Sequence, residues 1–293
     1  MKKKIRFILN PHSGTAKKHD IPDRVKKLID SKKYEFDIVV TEGPKHATTL
    51  SQEAAQKNYD VVASIGGDGS ANEVAAGLNE SETALAFIAM GSGNGMSRFL
   101  KIPMNLDKAL HVINTGIIDK IDTVRVNDAF CLGTIGVGFD AHVAHLFAKA
   151  PKRGLSTYAK LVMSEFSKYK PLTYDIVIDD KIYSEECFLL TFANSNQFGN
   201  NAIIAPFADV RDGIMDISLI KKFPLIAAPS LVWRLMNSSI HHSKFFSMMK
   251  GKNIVLKNNG KLKAHIDGEP ITFVNDISIQ VVPHSLNVVV PAN

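Results

Sequence analysis

The chain has 293 residues, 45% hydrophobic and 22% charged, with net charge +6 and a pI near 9.1. That is normal globular composition at the upper size for one core, so it suggests two domains. The mild basicity suits an anionic ligand or an anionic membrane surface, but the only basic run is Lys2-Lys3-Lys4 and no nucleic-acid module is recognisable, which argues against nucleic acid as a partner. Cys131 and Cys187 are far apart among apolar neighbours and read as buried free thiols without metal spacing, consistent with a reducing cytoplasm. The N-terminus runs straight into a strand, so no signal peptide is expected. The longest apolar region, Phe223 to Met236, is broken by Pro224, Pro229 and Arg234 and is too short to span a bilayer.

In chain order, Lys4–Leu9 reads as a strand ending in the polar loop Asn10-Pro11-His12-Ser13-Gly14-Thr15. Ile21, Val25, Leu28 and Ile29 have helical spacing within residues 20–30. Phe36–Val40 is a second strand, ending at Thr41-Glu42-Gly43-Pro44, and a helix follows from His46 through Ala55. Tyr59–Ala63 leads into Ser64-Ile65-Gly66-Gly67-Asp68-Gly69-Ser70, and Ala71–Leu78, with Asn72 and Glu73, leads out as a helix. Ala84–Ala89 is a fourth strand, ending in Met90-Gly91-Ser92-Gly93-Asn94-Gly95, and a helix over Leu106–Asn114 closes this half.

Strand, loop and helix thus alternate four times, which predicts an α/β domain with a mostly parallel sheet. The polar loops all lie at the carboxyl ends of strands, where open α/β sheets bind ligands. Glycines at a strand-to-helix junction let backbone N–H groups approach a phosphate, and the helix dipole favours its charge. Asp68 in such a loop implies that a divalent cation accompanies the nucleotide.

From about Ile117 the rhythm changes. Strands are expected at 121–126 and 130–137 around an Asn127-Asp128 turn, and at 173–178 and 183–193 around Asp179-Asp180-Lys181. Further strands are expected at 215–220, 253–256, 261–266, 278–282 and 286–290. Helical inserts are expected at 154–168 and from Leu225 to Met236, continuing toward Met249. The second half therefore reads as an antiparallel β-sandwich with helical inserts. The division is placed at residues 1–120 and 121–293, with the last strand free to return to the first domain. Two acidic turns stand out, Asp209-Val210-Arg211-Asp212-Gly213 and His265-Ile266-Asp267-Gly268-Glu269; each alone reads as a surface turn, but beside a phosphate site the second offers a carboxylate base. His142 and His145 share a helix face, as a metal pair or in packing and capping roles.

Asn10-Pro11-His12-Ser13-Gly14, Gly66-Gly67-Asp68-Gly69-Ser70 with Asn72-Glu73, Gly91-Ser92-Gly93-Asn94 and Asp267-Gly268-Glu269 together resemble the lipid kinase family of diacylglycerol, sphingosine and ceramide kinases, in order and over essentially the whole chain. The resemblance implies a two-domain enzyme with its active site in the cleft, transferring the ATP γ-phosphoryl group to a lipid alcohol. It implies that Asn10, Pro11, His12, Ser13, Gly14, Thr41, Gly66, Gly67, Asp68, Gly69, Ser70, Asn72, Glu73, Gly91, Ser92, Gly93 and Asn94 hold ATP. Asp68 would act with Mg²⁺, and Asp267 or Glu269 would accept the hydroxyl proton. A structural Mg²⁺ would fall on Asp212, with backbone near Asp209 and Ile214, although Arg211 stands where some bacterial relatives carry an acid. Gly95 stands where bacterial diacylglycerol kinases of this type usually have aspartate, which resembles the sphingosine and ceramide branch. The implied partners are a lipid alcohol substrate and a transient membrane surface at the inner face of a cytoplasmic membrane, with homodimerisation open. Phe245–Lys250 with Trp233 and Arg234, and separately Lys149, Lys152, Arg153, Lys160, Lys168 and Lys170, are the segments that would face lipid; core packing and simple solvation are the competing readings. The alternatives in function are an NAD or sugar-phosphate kinase sharing Gly-Gly-Asp-Gly, and a catalytically silent lipid or nucleotide sensor.

Overall fold

The computed structural model describes residues 2–14, 19–151 and 154–292; Thr15, Lys152 and Arg153 lie outside the described residues. The chain forms two compact units, Met1–Thr123 with Pro283–Asn293, and Val124–Val282.

The first unit alternates as β1 (Lys3–Leu9), α1 (Ile21–Leu28), β2 (Tyr34–Val40), α2 (His46–Gln56), β3 (Val61–Gly66), α3 (Asp68–Leu78), β4 (Ala84–Ala89), α4 (Gly95–Phe99) and α5 (Leu106–Thr115), and leads into β5 (Ile117–Val126). The strands pair in the order β2-β1-β3-β4, all parallel, with Ile5 opposite both Phe36 and Val61 and Val62 opposite Leu85. β3 is buried along its whole length, as expected for a parallel strand covered on both faces. Ile21 and Val25 of α1 and Val74, Ala75 and Leu78 of α3 supply the buried helix faces. α5 starts where the Asn105 side chain accepts the Lys108 N–H, an N-cap that satisfies one end-group of the helix.

The second unit continues as β6 (Ala129–Cys131), β7 (Thr134–Gly138), α6 (Phe139–Ala148), α7 (Leu155–Phe166), β8 (Leu172–Ile178), β9 (Lys181–Cys187), β10 (Leu189–Ala193), β11 (Gln197–Gly199), β12 (Ala202–Ile203), β13 (Met215–Ile220), α8 (Ala228–Met236, preceded by a 3₁₀ turn at Leu225–Ala227), β14 (Phe246–Gly251), β15 (Asn253–Leu256), β16 (Leu262–Ile266), β17 (Glu269–Phe273) and β18 (Ile277–Val290). One layer is the antiparallel sheet β14-β13-β10-β7-β16-β17. The other is formed by β9, β8, β15, the first half of β18, β5 and β6. Ile135, Val137, Leu190, Phe192 and Ile217 of the first layer share one core with Val124, Ile176, Ile254, Leu256 and Ile279 of the second. This is a β-sandwich. A second core gathers Phe139, Phe166 and Phe188 with the partly buried Tyr169 and Phe223 under α6 and α7.

Three expectations change. The strand expected over 130–137 is two strands in different sheets, because the N–H groups of Leu132, Gly133 and Thr134 bond the Asp267 carboxylate instead of a neighbouring strand. The strand over 183–193 also divides, because the chain crosses between sheets at Phe188: β9 pairs with β8, β10 with β13 and β7, and the Phe188 ring stacks on Phe139 with centroids 4.4 Å apart. The helix from Leu225 ends at Met236, where Ser238 takes φ 55°, and Phe246–Gly251 is instead a strand paired with β13.

Candidate active site

In the first unit the loops after β1, β3 and β4 are joined by short contacts. The Asn10 side chain donates to Ser70 Oγ at 2.8 Å, and Asn10 also accepts the His12 N–H on its Oδ1 at 2.9 Å, which closes a tight turn carrying the exposed Pro11 and His12. Ser13 Oγ bonds the Asn10 carbonyl at 3.1 Å, and Gly14 lies against the Met90 carbonyl. Gly67 and Gly91 meet backbone to backbone: a Cβ on Gly91 would stand 2.7 Å from the Gly67 Cα. A side chain at Gly91 would collide there, and one at Gly67 would be tight, its Cβ 3.3 Å from the Gly91 Cα.

Asp68 fastens the same two loops. Its carboxylate accepts the N–H groups of Asn94 at 2.7 Å and Gly95 at 2.8 Å, at the start of α4. The Asn94 side chain turns back onto Gly91, donating to its carbonyl at 2.8 Å and accepting its N–H at 3.1 Å, with φ 53°. Ser92 and Gly69 are exposed at the loop tips, while Gly66, Ser70 and Thr41 are buried. The α3 N-cap, Gly67, supplies no side-chain cap, so the first N–H groups of this 11-residue helix receive none from it. Charge of opposite sign is favoured at that end.

Not every expected residue joins this cluster. The Glu73 carboxylate accepts the N–H groups of Lys45 at 2.9 Å and Ala47 at 3.3 Å, so it caps the start of α2. Asn72 stands half-buried in the second turn of α3.

In the second unit, Asp267 and Gly268 form the two-residue turn between β16 and β17, with φ 49° and 84°. Positive φ at both positions is the primed hairpin turn that suits strand twist. The Asp267 carboxylate accepts Leu132 N–H at 2.7 Å and Gly133 and Thr134 N–H at 2.8 Å, and the Cys131 thiol lies 3.7 Å away. Burial, and then the Asp267 charge, push the Cys131 thiol well above its usual range, so it stays protonated and donates. Glu269 is exposed at the start of β17.

Behind the turn is a pair that sequence spacing does not disclose. His265 Nε2 lies 3.1 Å from Asp140 Oδ2, both residues buried, and Gly268 N–H approaches His265 Nδ1 at 3.4 Å. An acceptor at Nδ1 and a carboxylate at Nε2 assign the Nε2–H tautomer. The pair connects α6 to the acidic turn, and its partners are 125 residues apart in the chain. His142 and His145 are not a metal pair: His142 bonds Glu165 at 3.0 Å, and His145 Nε2 donates to the Ala264 and Ile271 carbonyls at 3.1 and 3.0 Å.

The side chains expected at a structural Mg²⁺ site already have partners. Asp209 is paired with Arg211 at 3.3 Å, and Asp212 accepts the Ile214 N–H at 2.9 Å. The Lys250 ammonium stands 3.8 Å from Asp212 and 3.3 Å from the fully buried Asp216. Charge at this turn is thus balanced by side-chain cations. Among the described residues, no group of three or more His, Cys, Asp or Glu is placed to hold a metal ion.

Comparison with known proteins matches the chain in two consecutive segments. Residues 4–126 match the diacylglycerol kinase catalytic domain, and residues 133–290 match the YegS C-terminal NAD kinase beta sandwich-like domain. A diacylglycerol kinase of Staphylococcus aureus strain bovine RF122 is 28% identical over 287 residues, covering 94% of this chain and 90% of that protein. The crystal structure of a diacylglycerol kinase from Bacillus anthracis strain Sterne shares the fold, with a TM-score of 0.75 and 20% identity over 98% of this chain and 97% of that one. With both domains matched in order, the chain belongs to the diacylglycerol kinase-type lipid kinase family.

Proposed function

We propose that this protein transfers the γ-phosphoryl group of ATP to the hydroxyl of a lipid alcohol. The observation that carries the reading is the Asp68 tie: one carboxylate locks the Gly67 and Gly91 loops together beside the start of α3. Backbone N–H groups held this way need little reorganisation when phosphate oxygens arrive. Asn10, Ser13, Thr41, Gly66, Gly67, Gly69, Ser70, Gly91, Ser92, Gly93 and Asn94 form the phosphate cradle, and Asp68 is the carboxylate for Mg²⁺, which supplies charge neutralisation at the transferred phosphate.

Of the two acids in the second unit, Glu269 is the general base. Asp267 spends its carboxylate on three backbone amides, whereas Glu269 is exposed and carries no such load. The acceptor oxygen bonds to the γ-phosphorus, the bond to the ADP oxygen breaks, and the hydroxyl proton passes to Glu269. Diacylglycerol is the first acceptor to try, given the name of the Staphylococcus relative. A sphingoid base or ceramide is the alternative that Gly95 favours, and NAD is the small-molecule alternative.

The test is radiolabelled phosphate transfer from ATP and Mg²⁺ to diacylglycerol, a sphingoid base, ceramide and NAD, each in detergent micelles or buffer. Label in a lipid is the expected result. Label in NAD alone, or in none with ATP bound, would overturn it.

A further inference from the structure

We infer that the outer face of α8, with the turn before it, is a docking surface for an anionic lipid bilayer. The element has two apolar faces. Leu231 is buried and Leu235 packs on the aromatic core of the second unit. On the other side Leu225 (56% exposed), Ile226 (89%), Val232 (58%), Trp233 (61%) and Met236 (48%) stand in solvent. Leu225, Val232 and Met236, with the exposed Pro229, follow helical spacing, so they form a stripe rather than scattered positions. Exposed apolar stripes of this size mark interaction surfaces.

Charge selects the occupant. No Asp or Glu occurs between Asp216 and Asp267, while nine Lys and Arg do. Lys221 and Lys244 flank the stripe on the chain and are exposed, and Arg234 lies within the helix. Lys222 is committed elsewhere, donating to the Phe166 and Tyr169 carbonyls. A second copy of the same face would bring these cations against like charge, and this stretch of chain carries no acid of its own to offset them. An anionic bilayer matches both features: apolar side chains enter the acyl boundary, Trp233 sits at headgroup depth, and the lysines meet phosphate. The lipid-kinase reading gives this surface its purpose, since the acceptor would reside in that bilayer, and the inference rests on that reading for its biological meaning. Of the segment expected to face lipid, Trp233 and Arg234 belong to α8, whereas residues 246–250 lie in the strand β14, paired with β13.

Trp233 is the single tryptophan, so its fluorescence reports the surface directly. Titration with vesicles of phosphatidylglycerol and phosphatidylcholine is expected to shift its emission to the blue and shield it from an aqueous quencher. Pure phosphatidylcholine should bind more weakly. The double variant Ile226→Ser/Val232→Ser keeps the reporter and alters only exposed positions; it should bind vesicles about tenfold or more weakly, with an unchanged melting temperature. Lys221→Ala/Lys244→Ala should lose about fivefold per charge, on anionic vesicles only. No emission shift and no co-flotation with either vesicle overturns the proposal. So does an emission that shifts with protein concentration alone, alongside dimer formation in sedimentation, which would assign the face to a second copy. Phosphate transfer to an acceptor in detergent micelles is measured in parallel: vesicle binding without transfer sinks the kinase reading and leaves the docking surface, and transfer without vesicle binding does the reverse.

Discussion

Asp68 in the first unit and Asp267 in the second are used in similar ways. Each is a carboxylate at a turn that gathers backbone N–H groups from a segment distant in the chain. Asp68 takes two, from the start of α4, and joins two loops whose glycines touch. Asp267 takes three, from the link between β6 and β7, with a protonated thiol beside it. The first arrangement stands at the start of α3; the second fills a turn and leaves the neighbouring Glu269 exposed. A carboxylate inside a kinase motif can therefore be part of the scaffold. Asp216 shows the other solution: it is fully buried and held by the Lys250 ammonium instead of amides.

The comparison breaks first at Glu269. Glu269→Gln should lower kcat by about 10²- to 10⁴-fold. Its melting temperature should match the parent protein, because the side chain is exposed. Full turnover in a folded Glu269→Gln protein would return the base to Asp267. Lys250→Met strands the Asp216 charge and should cost about 3 kcal/mol at neutral pH, read by urea unfolding. Burial, opposed by Lys250, holds the folded-state pKa of Asp216 above the ordinary carboxylate value. The folded state therefore binds more protons at acid pH, and this group costs stability as pH rises from the unfolded carboxylate range through the raised value. The Lys250→Met deficit should accordingly shrink on acidification.

Asp267→Asn sharpens the contrast. Its amide turns a donor toward backbone donors, so stability should fall by about 2 kcal/mol, with kcat reduced only as far as the turn shifts. A loss of kcat equal to that of Glu269→Gln, without destabilisation, would contradict the scaffold role. The smallest effect is expected at Glu73: Glu73→Ala removes the cap on α2 and should cost about 1 kcal/mol, seen as a modest fall in melting temperature.

Much of this was legible in the residues. Buried runs such as Val61-Val62-Ala63 and Ala84–Ala89, each followed by a glycine loop, disclose a parallel sheet because local pattern and tertiary position coincide there. Where they part, the pattern misleads. Residues 130–137 look like one strand because apolar residues run through them, yet only the carboxylate of Asp267, over 130 residues away, explains the break at Gly133. Phe188 sits in an unbroken apolar run, yet the chain changes sheets there and its ring joins an aromatic cluster. Phe246–Gly251 carries apolar residues that fit a helix or a strand equally well, and pairing with β13 decides it. At the candidate site, the motif residues identify the loops, but Glu73 shows that a motif acid can serve a neighbouring helix, and His265 with Asp140 shows that a supporting pair can leave no spacing signal.

The path of β18 has a consequence for biosynthesis. Its first half pairs with β15 in the second unit, and its second half belongs to the first unit, where Val288 lies beside Leu85 of β4. On the ribosome, β4 therefore waits as an open edge until the whole sandwich has been translated. Such an edge is prone to pair with another nascent chain. A fragment ending at Thr123 would keep that edge permanently, so the first unit is not a module that can be cut free by dividing the chain at its first boundary.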